Sequence, residues 1–309
     1  MNAELSINTT AAGRFQIEAF RVDSEGVEIP GSRRIAAEWF PNLITNAGLD
    51  RMGSVGDYMS SCMVGSGNAA PAETDTALQA RVASTSNINV QSNNSNVSPR
   101  YGWRRRTFRF AAGAAAGNLS EVGVGWTSTA VFSRALILDG SGNPTTITVL
   151  SDEVLDVTYE LRFYISEADV NFNVDISGTT YACVARPANL GEDISTQIGT
   201  IEICVNTQDR ANGVRAFETQ VLGAVTGQPA GPDASPLAFS NSTYVNGTRY
   251  KETVVTAGLN SGNFSTGLGS IRVDNSFCDW QINFTPKIPK DATKVLTLNV
   301  RSAWSRHVP

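Results

Sequence analysis

Histidine occurs once in this 309-residue chain, at position 307, and only four of the 24 cationic side chains are lysine, all of them after residue 250. A Ser-His-Asp or Cys-His arrangement could draw on His307 alone, close to a terminus where chains fray, so that chemistry is not expected. The four cysteines, Cys62, Cys183, Cys204 and Cys278, form no CxxC pair and have apolar neighbours. Buried free thiols are expected from them, and zinc is not. No apolar run approaches the roughly 18 residues of a membrane helix, which argues against membrane insertion. The first ten residues, MNAELSINTT, have neither a basic cluster nor an apolar stretch, so a Sec-type signal peptide is not expected.

Charge is scarce as well. Charged residues make up 17% of the chain, below the usual quarter, and Asn, Ser, Thr and Gly fill the gap. A hydrophobic content of 41% with a net charge of only −5 describes a folded chain rather than a disordered one. The acidic balance speaks against a nucleic-acid binder. Arginine far outnumbers lysine, a bias shared by protein interfaces and by G+C-rich coding sequences.

What is abundant is alternation. Phe15, Ile17 and Ala19 share one face of a strand and Arg14, Gln16 and Glu18 the other, with Asp23–Gly26 as the turn of a hairpin. Residues 154–163 alternate almost without fault, and ALILD and TTITVL flank DGSGNP as a second hairpin. Further strands are predicted at 170–177, 180–185, 200–207, 251–258, 270–275, 279–286 and 295–304. Two short helices are predicted in the N-terminal half, at 42–53 and 73–83, and a long polar surface loop at 84–99. The fold expected is mainly β, with β-sandwich-like domains at 1–166 and 167–309.

Several motifs have a plain structural reading. Gly65-Ser-Gly67-Asn-Ala-Ala70 matches GxGxxA but lacks the acidic residue about twenty positions on that a dinucleotide site needs, so it reads as a turn. Asp139–Asn143 resembles the start of a calcium loop but has Pro144 and Leu150 where Gly and Glu are required. Asp152, Asp156 and Glu160 share a strand face about 13 Å apart, wider than glycosidase carboxylate pairs. They read as a solvated or interfacial face. No catalytic, cofactor or metal residue is therefore assigned.

The densest basic segment, RYGWRRRTFRF, places Arg100, Trp103, Arg104, Arg105, Arg106 and Arg109 together. Strand alternation splits the arginines between both faces, which suits an acidic partner surface in another subunit better than a nucleic acid. On that reading, reversing Arg104 and Arg106 to Glu should harm assembly more than folding. Tyr244, Tyr250, Trp280 and Trp304 are candidate host-contact aromatics, since exposed rings stack on sugars.

Two whole phrases carry a family resemblance. WFPNLITNAGLDRMG followed by CMVGSGNAAPAETDTALQARVAST, and then LSEVGVGW with VFSRALILDGSGNPTTITVLSDEVLDVTYELRFY, resemble bacteriophage tail-associated structural proteins of the fibre, tail-tip or baseplate type. The resemblance covers roughly residues 39–164. It implies a non-enzymatic virion part, made in the host cytoplasm, whose partners are copies of itself, neighbouring tail proteins and a host surface receptor. The alternatives are a head decoration or minor capsid protein and a carbohydrate-binding tailspike-like protein.

Overall fold

The computed structural model describes residues 4–54, 56–97, 99–190, 198–200, 202–205, 213–234 and 236–308. Its organising element is β1 (Glu4–Arg21), whose odd-numbered residues from Leu5 to Ala19 alternate with polar ones. Eighteen residues at about 3.3 Å each give a strand of roughly 60 Å, enough to span two cores rather than one. One edge of β1 pairs antiparallel with β5 (Glu153–Tyr164). Its other edge is shared: β2 (Arg34–Pro41) takes the C-terminal part, and β8 (Leu296–Arg306) runs parallel to the N-terminal part.

The sheet is completed by β3 (Ile88–Val97) and β4 (Arg100–Phe110) beyond β5, and by β6 (Ala238–Asn241) and β7 (Tyr250–Ala257) beyond β8. The order is β6-β7-β8-β1-β5-β4-β3, with β2 on β1.

Two smaller sheets cover its inner face. A five-stranded sheet built from residues 43–44, 61–65, 81–85, 121–125 and 133–136 packs with helix α1 (Asn46–Met52). It encloses Phe15, Ile17, Phe108, Val157, Tyr159 and Phe163. A six-stranded sheet drawn from residues 170–288 covers the other end, around Leu5, Ile7, Val255, Leu298, Trp280 and Phe284. The fold is thus mainly β and sandwich-like, as the alternation predicts. No helix among the described residues is long and apolar enough to cross a membrane.

The central sheet draws strands from both sides of the boundary expected at 166. The parallel pairing of β1 with β8, from Glu4↔Asn299 to Ala11↔Arg306, joins the two halves edge to edge. Three local expectations need correction. Among the described residues there is one helix and not two: the segment at 73–83 forms turns leading into the strand Arg81–Thr85, because the Gln79 and Ala80 N–H groups donate to the Glu121 carboxylate rather than into a helix. The polar loop at 84–99 contains β3, an edge strand whose Asn and Ser side chains face water on both sides. The DGSGNP hairpin closes only through a Leu138↔Pro144 bridge, since its flanking strands pair in different sheets. The strand expected at 200–207 lies partly outside the described residues.

Candidate functional site

Charge is concentrated on the outer face of the central sheet, and antiparallel register decides who meets whom. Glu160 lies opposite Arg105 on β4 and Arg14 on β1, while Asp156 lies opposite Arg109 and Glu18. Directly opposed side chains stand about 5 Å apart, so Glu160 has an arginine on either side, while Asp156 has Arg109 on one side and a second carboxylate, Glu18, on the other, with Arg33 reaching both carboxylates. Glu160 accepts from Arg14 Nε at 2.9 Å, Arg105 Nε at 3.0 Å and Arg162 Nε at 2.7 Å. Asp156 receives both prongs of Arg109, at 2.8 and 2.7 Å.

Aromatic rings hold this lattice in place. Trp39 of β2 has the Arg14 guanidinium 4.2 Å from its ring centre and that of Arg105 at 5.1 Å. Trp103 lies 4.8 Å from Arg105, and Phe20 is roofed by Arg33 at 4.0 Å and Arg109 at 5.0 Å. Of the three carboxylates expected on a solvated or interfacial face, Asp152 is exposed, whereas Asp156 and Glu160 are buried beneath arginine stems. Burial opposes ionisation of Glu160, yet the hydrogen bonds from Arg14, Arg105 and Arg162 outweigh it and hold its pKa below the ordinary value.

Arg104 and Arg106 point the other way, into the protein. Arg106 donates to Asp57 Oδ1 at 2.9 Å, to the Met59 carbonyl at 2.6 Å and to Gln91 at 3.0 Å. Arg104 donates to the Ile198 carbonyl at 3.2 Å. Arg100 reaches Glu167 at 3.1 Å. Among the predicted intersubunit residues, then, Arg104 and Arg106 are internal, and Arg100, Arg105 and Arg109 pair with carboxylates of their own chain. Half-buried Trp103 lies against Arg105. For Arg105 and Arg109 the acidic surface expected from another subunit is supplied by β5, some fifty residues away along the chain.

The predicted host-contact aromatics are also engaged internally. Trp280 and Trp304 are 3% and 1% exposed, and Trp304 Nε1 donates to the Leu49 carbonyl at 2.8 Å. The Tyr244 hydroxyl donates to Asp50 at 2.6 Å, and Tyr250 lies under the Arg301 guanidinium at 4.0 Å. A different aromatic cluster is open: Trp39, Tyr164 and His307 line a cleft of about 300 Å³ with Arg14 and Arg162. The His307 ring stacks on Tyr164 at 3.7 Å, and its Nδ1 lies 3.0 Å from Thr10 Oγ1. The β1–β8 pairing that brings residue 307 beside residue 10 leaves no mark in local sequence.

The GSGN turn is organised by a buried ion pair. Glu121, fully buried, accepts from the N–H groups of Gly67, Gln79 and Ala80 and from Arg134 Nε. Arg134 also donates to Asp75 at 2.6 Å and to the Ala69 carbonyl at 2.9 Å. A Cβ at Gly67 would stand 2.5 Å from the Glu121 carboxylate, which explains the glycine. All four cysteines are buried and free, and burial pushes the Cys183 and Cys204 thiols up to about 12, far from nucleophilic reach. Among the described residues no group of three or more His, Cys, Asp or Glu is placed to hold a metal ion. In comparisons with known proteins, no family model, curated protein or solved structure matches this chain.

Proposed function

We propose that the chain is a non-enzymatic structural component of a bacteriophage virion, at the tail tip, baseplate or fibre-attachment region, assembling with copies of itself and neighbouring tail proteins and contributing to host adsorption. The observation that carries this reading is the use the chain makes of its charge. Glu121, Glu153, Asp156 and Glu160 are buried and each is bound by arginine, several of those arginines being stacked on aromatic rings. Such side chains fix strands to one another, which suits a part that must hold its shape. The phrases that resemble tail proteins coincide with the unit tied together by Glu121 and Arg134, which adds support.

Gold-labelled antibody against the chain, imaged on intact particles, tests the proposal. Label at the distal tail is the expected result. Label over the head would favour a decoration or minor capsid role, and absence from every particle would overturn the reading. A second reading, contact with a host saccharide, is favoured by the Trp39–Tyr164–His307 cleft. Incubation with host polysaccharide checks both, because released oligosaccharide would contradict a non-enzymatic role.

A further inference from the structure

The Arg51 side chain stands apart from those of the other described arginines: it makes no hydrogen bond or ion pair with any described residue, the residue being engaged through its backbone carbonyl. Its Nε is buried without a partner, and its guanidinium lies 5.7 Å from the ring centre of Trp126. A buried Nε outside the hydrogen-bond network recurs at Arg100, Arg104, Arg215 and Arg301, but those guanidinium groups are held through their other atoms or in ion pairs, whereas Arg51 has no such hold among the described residues, which calls for a reason. The side chain lines a pocket of about 250 Å³ with Ala47, Asp50, Ser54, Trp126 and Asn246.

Around it stand one hydroxyl, one amide and one carboxylate. Neither the Ser54 hydroxyl nor the Asn246 amide has a hydrogen bond to a described residue, so both are available to a ligand. Asp50, the one carboxylate present, is already matched: it pairs with Arg249 and accepts from the Tyr244 hydroxyl at 2.6 Å and the Gly247 N–H at 2.7 Å. Arg51 is therefore a surplus positive charge. The guanidinium lies against Gly56, where a Cβ would stand 2.8 Å from Arg51 Nη2 and where a φ of +111° calls for glycine.

We infer that this pocket receives the carboxylate of an acidic side chain from a partner protein. A planar guanidinium fork matches a carboxylate or a phosphate. The pocket offers one net positive charge at the carbonyl end of α1, and a helix C-terminus disfavours added negative charge, so a monoanion fits better than a dianion. A sugar acid would present the same carboxylate, and the test separates it from an acidic side chain. Arginine and tryptophan are the residue types that dominate protein–protein contacts, and Val245, beside Asn246, is 64% exposed. The inference goes beyond the virion reading, because it concerns the isolated chain.

The test is an NMR titration of the purified chain, reading the Trp126 indole N–H resonance, assigned with Trp126→Phe. The probe is N-acetyl-glutamate α-amide, with N-acetyl-glutamine α-amide, glucuronate and inorganic phosphate as rivals. A saturable shift with the glutamate compound is expected, with a Kd on the order of 1–10 mM, as befits a single partly exposed ion pair. Arg51→Gln should weaken it at least tenfold and Ser54→Ala about threefold, with the remaining resonances unmoved. No shift at about 100 mM probe would overturn the inference. So would an equal response to the glutamine analogue, or tighter binding of phosphate or glucuronate. Either failure leaves the particle-labelling result untouched.

Discussion

The two faces of β4 carry the same residue type and use it differently. Arg105 and Arg109 lie on the outer face, half-exposed, where they bridge to β5 and lean on aromatic rings. Arg104 and Arg106, on the inner face, are buried beside Phe108 and Phe110 and tie the sheet to residues 57–59 and 198 through loop carbonyls and Asp57. An outer guanidinium shares its carboxylate with others and retains access to water. An inner one has no replacement for its partners. Arginine is suited to both tasks because five donors can serve several acceptors at once.

The largest effect should come from reversing the inner pair. Arg104→Glu with Arg106→Glu would bury carboxylates against carbonyls and Asp57, and no folded chain is expected by circular dichroism. A folded variant that merely fails to associate would restore the intersubunit reading of these two arginines. Glu160→Gln should cost about 2–3 kcal/mol in urea titration, since it leaves Arg14, Arg105 and Arg162 without their shared counter-charge.

Its pH dependence sharpens the comparison. The folded pKa of Glu160 lies below its ordinary 4.5, so its contribution is present above that value and is lost as pH falls through the folded one. Stability of Glu160→Gln should accordingly fall less steeply with acid below about pH 4.5 than that of the parent. Arg105→Ala, on the outer face, should cost only about 1 kcal/mol, because Arg14 and Arg162 still serve Glu160. Arg21→Ala, which breaks an exposed pair with Asp152, should change stability by about 0–0.5 kcal/mol. A cost at Arg105 equal to that of Glu160→Gln would erase the distinction between the faces.

Much of the strand pattern was legible because burial of one face writes itself as period two. Phe15, Ile17 and Ala19 are fully buried, and in β5 Leu155, Val157, Tyr159, Leu161 and Phe163 line the core. β3 escaped notice because an edge strand with water on both faces has no apolar period to display. The expected helix at 73–83 failed for a different reason: Glu121, some forty residues on, captures N–H groups that a helix would use. Likewise, Trp304 and Trp280 gave no sign of being internal, because an aromatic ring in a strand looks the same whether another sheet covers it or not.

By itself the sequence determined that the chain folds as a mainly β protein, which of its strands have one buried face, and that its thiols lie in apolar surroundings. These follow from composition and local alternation, which each segment expresses without reference to the rest. The tertiary structure decided the parallel union of β1 with β8, the carboxylate assigned to each arginine, the cleft around His307 and the isolation of Arg51. Each depends on register between segments distant along the chain, and a shift of one residue in that register would exchange every inner side chain for an outer one.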